Sequence, residues 1–298
     1  CAPEVTPGCD GKLRHGTKEI RAPEVVGTYI GAGRNDKLVA MGVGRKRIVI
    51  LNDTIATLLA GKSFGGARRY ASYTGVIVGT GSNAAYVEDN ARIAKLPGLP
   101  PGAMAINMES GNFAKCPRSD FDVAFDATTA NPGRQMFEKM ISGGYLGGVG
   151  LHVLRTAAAE GLFSPATAAM LQGWRELTTK EMDDFLWNPF RDSVFRNPVC
   201  TGAELETMMV LCAEVIRRAA VLVAVNISTP ILKAGFGRSP LHPVCVTVDG
   251  STFYKTNRLK SLVEEHLRRL LDARGVHHEL IKVEEAPLIG AAVAGLTV

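Results

Sequence analysis

Apolar positions along the chain follow two rhythms. Short continuous apolar runs, each closed by a polar or glycine-bearing turn, occur at Arg47-Ile-Val-Ile-Leu-Asn-Asp-Thr, at Thr74-Gly-Val-Ile-Val-Gly-Thr-Gly-Ser-Asn and at Val244-Cys-Val-Thr-Val-Asp-Gly-Ser. Such runs predict buried strands. The segment after Thr54 predicts a helix that ends at Gly61. The apolar stretch Ala84-Ala-Tyr-Val after the second run predicts a hairpin with a glycine turn.

The second rhythm is helical. Leu259, Leu262, Val263, His266, Leu267, Leu270 and Leu271 share one helix face, with Asn257 or Thr256 as a start cap and Gly275 just past the end. His266 on that stripe reads as a packed core histidine rather than a ligand. A second helix is predicted over residues 202–222, its inner stripe formed by Leu205, Met208, Met209, Cys212, Val215, Ile216 and Ala219. Residues 134–172 read as helical but broken by Gly143, Gly144, Gly147, Gly148 and Gly150, a sign of close packing or interrupted helices. From Pro287 the chain carries a small-residue helix able to approach its neighbours closely. Strands alternate with helices and no repeat of solenoid length is evident, so the class is α/β or α+β with mixed sheets.

Composition narrows the function classes. The 298 residues are 46% hydrophobic and 21% charged, ordinary for a globular chain with a large core. The formal charge of +5 is scattered. Its two short basic runs, Arg45-Lys-Arg and Arg268-Arg269, are not interleaved with aromatics, which argues against nucleic-acid binding. No apolar run reaches membrane-spanning length and no signal peptide is evident. The six cysteines have no zinc spacing with one another or with histidine. They read as reduced thiols, so the expected compartment is the cytoplasm. The first residue is Cys1 rather than Met, which points to a chain processed, cut or read from an incomplete gene.

Candidate chemistry gathers where strands end, as ligands do in open α/β sheets. Asn52 and Asp53 close the first run, and a carboxylate there can take a proton from a hydroxyl. Asp53 can equally cap the following helix. In Gly79-Thr80-Gly81, glycines let backbone N–H groups approach a phosphate and Thr80 adds a hydroxyl, although a plain hairpin turn accounts for the motif as well. Asp249-Gly250-Ser251 repeats the layout of strand, glycine and hydroxyl. Neither is a Gly-x-Gly-x-x-Gly or Walker-type signature. Glu109 and Glu138 lie in polar, glycine-bearing stretches where a carboxylate can bind sugar hydroxyls or simply be solvated.

Taken in order, these segments resemble the hexokinase family. Leu51-Asn-Asp-Thr-Ile-Ala-Thr-Leu resembles its catalytic motif, and Gly75-Val-Ile-Val-Gly-Thr-Gly-Ser-Asn-Ala-Ala-Tyr-Val-Glu its second phosphate loop. Ile106-Asn-Met-Glu-Ser-Gly-Asn-Phe and Asn131-Pro-Gly-Arg-Gln-Met-Phe-Glu-Lys-Met-Ile-Ser-Gly-Gly-Tyr-Leu-Gly are similar to its sugar-binding stretches, the latter being the most specific match. Val246-Thr-Val-Asp-Gly-Ser-Thr-Phe-Tyr-Lys resembles the adenosine-side motif. The style at Glu4-Val-Thr-Pro and at Gly27–Gly31 looks like bacterial members.

The resemblance implies an actin-like ATPase fold of the ribonuclease H-like kind, a two-domain sugar kinase with part of the small domain missing. Residues 1–53 would be the remainder of the small domain and 54–285 the large domain, with 286–298 a helix returning toward the small one. It implies sugar contacts at Thr17, Lys18, Asn52, Asp53, Asn83, Glu109, Gln135 and Glu138, with Asp53 as general base and Lys18 as a charge near the reaction. Nucleotide contacts fall on Gly79, Thr80, Gly81, Gly250 and Ser251. The substrates would be a hexose, glucose first, and ATP with Mg2+, whose protein ligands would lie upstream of Cys1. The partners expected are these small molecules alone, with no nucleic acid and no membrane.

Two departures stand out. The family's Asp-x-Gly-Gly-Thr loop is absent, and of its Ser-Phe-Pro-like loop only Cys1-Ala-Pro remains, so the chain alone is expected to phosphorylate sugar poorly. Gly148 stands where the family usually has Glu. A non-catalytic sugar-binding relative is the rival reading, against which Asp53 argues. A nicotinamide oxidoreductase would need a fingerprint the sequence lacks.

Overall fold

The computed structural model describes residues 3–5, 10–13, 23–65 and 68–297. Near its start, β1 (Pro3–Val5) and β2 (Gly11–Leu13) pair antiparallel, and α1 (Ile30–Ala40) follows. The Asp10 carboxylate accepts the N–H groups of Gly31 and Ala32 at the head of α1, at 2.6 and 3.0 Å. It does so from a distant point in the chain, because Tyr29 at the cap position offers no side-chain cap.

The predicted strand at residues 47–51 is not formed: residues 44–52 have no regular structure and Ile48–Leu51 are half-buried. No strand runs beside them among the described residues, and a strand needs a neighbour to satisfy its backbone. Beyond it, α2 (Asp53–Phe64) runs through Gly61 to a cap at Gly65.

Five strands form the main sheet: β3 (Ser72–Val78), β4 (Ser82–Asp89), β5 (Ala103–Asn107), β6 (Val244–Asp249) and β7 (His278–Ile281). Their order is β5-β4-β3-β6-β7. β3 and β4 make the predicted hairpin, β3 pairs parallel with β6 and β6 with β7, and β4 alone runs against the others. Side chains alternate between the two faces. Gly75 and Thr247 face α2, where a Cβ at 75 would press on the carbonyl of Thr54 and one at Gly61 would strike the Thr247 side chain. Val76, Val78, Val246 and Val248 face the opposite way, into the large core.

That core is built by α4 (Met136–Ile141), α5 (Leu146–Ala159), α6 (Pro165–Gly173), α7 (Thr179–Trp187), α8 (Gly202–Ala234) and α10 (Leu259–Leu270), with α3 (Asp120–Thr128) and the short α9 (Ser251–Lys255) at its margin. Fully burying each large apolar side chain contributes about 1.5–3 kcal/mol. The predicted helix at 202–222 thus continues to Ala234 with Pro230 inside it. The helical region 134–172 is three helices, α4 to α6, separated at Ser142–Tyr145 and again before Ser164. Arg258, in a left-handed conformation, holds the cap position of α10, not Asn257 or Thr256, while Gly275 ends the short turn after it.

Two ion-pair groups tie α8 to its surroundings. Arg218 forks onto both oxygens of the buried Asp122 at 2.7 Å. Lys233 pairs with the buried Glu88 of β4, and Arg92 donates to the carbonyls of Lys233 and Ala234 at the helix end. Finally α11 (Ala286–Thr297) lies on α2, with Gly290 seated so closely on Ala56 that a Cβ there would overlap the Ala56 carbonyl.

Candidate active site

Four segments far apart in sequence converge on the β3–β4 turn. Gly79 donates from its N–H to the Gly81 carbonyl at 2.9 Å and closes the turn. The Ser142–Gly144 break between α4 and α5 packs on one side, with Gly143 N–H donating to the Gly79 carbonyl and Gly144 N–H to that of Thr80, at 2.8 and 3.1 Å. Gly250 also packs on the turn, at φ 116°, a backbone only glycine adopts freely. A Cβ on Gly250 would overlap Val78 and Gly79. Gly79, Thr80, Gly81, Gly250 and Ser251 thus belong to one surface.

The sugar-side residues are linked by a polar chain. Asn83, the second residue of β4, donates from Nδ2 to Asn107 Oδ1 at 2.7 Å. Asn107, which ends β5, donates onward to Glu109 Oε1 at 2.7 Å. The N–H of Ser110 returns to Asn83 Oδ1 at 3.2 Å. From α4 the buried Glu138 accepts the Ser82 N–H at 2.7 Å through Oε2, and the absence of a side chain at Gly111 lets the two segments meet. Asn83, Glu109 and Glu138 are therefore gathered around the start of β4. Gln135 precedes α4 at its cap position. Glu109 and Gln135 both hold left-handed backbone, φ 50° and 51°, uncommon outside glycine and concentrated at functional sites.

Lys139 fixes the loop that leads to Gln135. It is buried and donates to Asp126 at 2.5 Å, to Thr129 Oγ1 and to the Asn131 carbonyl. Burial alone would raise the Asp126 carboxyl, but Lys139 and the Gly133 N–H hold it below its ordinary value.

Asp53 occupies the first turn of α2 and is exposed. The cap role belongs to Asn52, whose Oδ1 accepts the Thr54 N–H at 2.8 Å. Asp53 Oδ1 shares that N–H and also meets the Thr54 hydroxyl at 3.2 Å. Its other oxygen has no partner among the described residues. Asp249, ending β6, has its carboxyl raised by burial first and then by the charges of Asp53, Glu284 and Glu285. The head of α2 thus lies near Asp249 and the Gly250 turn. A lone carboxylate oxygen on an exposed first turn can accept a proton, and backbone N–H groups beside it can hold an anion.

Thr17 and Lys18 lie outside the described residues, as does Cys1-Ala2 of the Ser-Phe-Pro-like loop. The sequence alone does not mark Asn107, Ser142 and Thr252 as site residues. Asn107 stands in the quoted Asn-x-Glu stretch, and the two hydroxyls flank glycine turns, but a hydroxyl beside glycine is too common to single out. Gly148 lies against the Phe125 ring, where a Cβ would overlap it; Phe125 occupies the space a longer residue would need and stacks edge-on with Tyr145 and His152. His266 is half-buried and lines a groove of about 570 Å³ between α8 and α10, rather than sitting packed in the core. Among the described residues no three His, Cys, Asp or Glu side chains form a metal-holding group, and no helix is long and apolar enough to cross a membrane.

A family model described as Hexokinase matches residues 73–297. Hexokinase-1 of Spinacia oleracea is 31% identical over 278 residues, 88% of this chain and 55% of the relative. Hexokinase-7 of Oryza sativa subsp. japonica is 30% identical over 299 residues, 95% of this chain and 64% of the relative. A hexokinase from Schistosoma mansoni, solved in complex with glucose, superposes with a TM-score of 0.80 at 26% identity, over 97% of this chain and 66% of that one. The chain therefore spans between about half and two thirds of the length of these relatives. Both sequence relatives are plant proteins, which lends the bacterial likeness no support. The superposition and the mixed five-stranded sheet bear out the expected actin-like class.

Proposed function

The chain belongs to the hexokinase family, and on that premise we propose that it supplies the sugar site and catalytic carboxylate for ATP-dependent phosphorylation of a hexose, D-glucose first, at its 6-hydroxyl. The observation that carries this reading is the polar chain Asn83–Asn107–Glu109, with Glu138 bound to the same strand start, beside the turn at Gly79–Gly81. Acidic and amide groups converging on one strand end suit a ring of hydroxyls, which both donate and accept.

In the reaction, a carboxylate oxygen of Asp53 takes the proton of the sugar's 6-hydroxyl as the hydroxyl oxygen attacks the γ-phosphorus, and the bond from phosphorus to the β–γ bridging oxygen breaks to release ADP. Magnesium, where it accompanies ATP, would supply positive charge to offset that of the phosphates. Phosphoryl transfer depends on this kind of positioning and charge stabilisation. Thr17 and Lys18 would complete the sugar contacts, Lys18 adding positive charge. The division into residues 1–53, 54–285 and 286–298, with closure over the sugar, belongs to the same proposal, as does a cytoplasmic location.

Asp53→Ala tests it. Whatever hexose 6-phosphate formation the unaltered chain supports, low as it is expected to be, should fall by about two to four orders of magnitude, the usual contribution of a general base, while glucose affinity measured by calorimetry changes little. Undiminished turnover removes Asp53 from the chemistry. Absence of glucose binding in the unaltered protein removes the sugar site.

A further inference from the structure

The backbone of the β3–β4 turn can be accounted for group by group. The Gly79 N–H is spent on the Gly81 carbonyl, which fills both. The Ser82 N–H is spent on Glu138. The Gly79 carbonyl accepts two donors, Gly143 N–H at 2.8 Å and Thr252 Oγ1 at 2.9 Å. The Thr80 carbonyl also accepts two, Gly144 N–H at 3.1 Å and Ser142 Oγ at 3.0 Å. Two groups are left with no partner among the described residues: the N–H of Thr80 and the N–H of Gly81.

Those two are adjacent, and their direction is set by the pinned carbonyls. A trans peptide is planar, with its C=O and N–H pointing opposite ways. Holding the Gly79 carbonyl against Gly143 and Thr252 therefore turns the Thr80 N–H away from them. Holding the Thr80 carbonyl against Gly144 and Ser142 does the same for the Gly81 N–H. Two successive N–H groups so presented make an anion-binding concavity.

We propose that Ser142 and Thr252 are positioning residues for nucleotide binding: their hydroxyls fix the two peptide planes that aim the Thr80 and Gly81 N–H groups at a phosphate. This rests on the kinase reading and adds to it two residues that need not touch the nucleotide. Both side chains are buried, and each hydroxyl bonds one of these carbonyls. The neighbouring glycines serve the same arrangement, since a Cβ at Gly143 would displace the Thr252 hydroxyl and one at Gly144 would come within 2.7 Å of the Thr80 carbonyl. The two pins come from different elements, Ser142 from the end of α4 and Thr252 from α9, so the turn is oriented only when both have packed.

The test compares Ser142→Ala, Thr252→Val and Thr252→Ser with the unaltered chain, measuring dissociation constants for ATP, for inorganic tripolyphosphate and for glucose by calorimetry. Thr252→Val keeps the side-chain volume and removes the hydroxyl; Thr252→Ser keeps the hydroxyl. Ser142→Ala and Thr252→Val should each weaken ATP and tripolyphosphate about three- to tenfold and shift glucose less than twofold. Thr252→Ser should lie within twofold of the unaltered chain. The inference is overturned if the valine variant binds ATP normally, if serine is as poor as valine, or if glucose affinity falls in parallel. Glucose binding without any ATP or tripolyphosphate binding in the unaltered chain would sink the phosphate role of the turn, and this inference with it. Failure to bind glucose with ATP binding intact would strike the hexose reading alone.

Discussion

Glu109 and Gln135 hold a backbone that costs a non-glycine residue about 1–2 kcal/mol, and each stands where the polar chain or α4 begins. Such strain persists only where the surroundings over-determine it, and around Gln135 the surroundings are the Lys139 bonds to Asp126, Thr129 and Asn131. Gln135→Gly should therefore separate fold from function. Chemical denaturation should find it as stable as the unaltered protein or about 0.5–1 kcal/mol more so, while glucose affinity falls. A variant both less stable and unchanged in glucose affinity would mean that Gln135 serves the fold. This strain was invisible in the sequence, because no signal marks a left-handed glutamine. The residues themselves were legible, since Asn83, Glu109 and Glu138 lie in stretches that carried the resemblance. Asp53 left two readings open at the sequence level, and Asn52 resolves the cap by taking that role itself.

Elements were legible in proportion to how one-sided they are. The hairpin of β3 and β4, the strand β6 and the amphipathic face of α10 follow from their apolar pattern. The second half of α8 does not, because residues 223–234 are buried on several sides and Pro230 reads as a stop. The run at 48–51 has the composition of a strand without a ladder partner among the described residues, and pattern alone cannot supply one. The join between α8 and β4 is also hidden from sequence. There the buried Glu88 meets the half-exposed Lys233 and Arg92. Burial would raise its carboxyl, but the hydrogen bond and charge of Lys233, the charge of Arg92 and the Tyr86 hydroxyl bring it below the ordinary 4.5. A depressed carboxyl contributes stability above its unfolded-state value and loses it as pH falls through the folded one. Urea unfolding between pH 7 and pH 3 should thus show a loss below about pH 4.5 that is shallower in Glu88→Gln. At pH 7 the variant should be less stable by about 1 kcal/mol, a modest figure because Lys233 is half exposed to solvent. Parallel pH profiles would remove Glu88 from the acid transition.

At the scale of the whole molecule, the packing on the two faces of the sheet can be read through thiols, Cys212 in the large core and Cys245 on the side of α2. Burial pushes Cys212 of α8 up to about 12 and Cys245 of β6 up to about 11, and a protonated, enclosed thiol is a poor nucleophile. Neither should be alkylated at pH 8 in the native state, and both should react together when urea opens the core, whereas the half-buried Cys116 and Cys200 should react earlier. Mass spectrometry of peptides after a short alkylation pulse gives the order; native-state labelling of Cys212 would mean the core opens locally at α8.

The crossing of α11 over α2 has a temporal meaning. Gly290 lets the backbones of the two helices come into close contact at Ala56, yet the two lie far apart in the sequence. On a translating ribosome the helix that begins with Asp53 precedes α11 and has no such clamp until the residues between them have been synthesised. Non-local closure of this kind is slow, so Asp53, the base proposed above, gains its fixed seat only once the two distant helices have met.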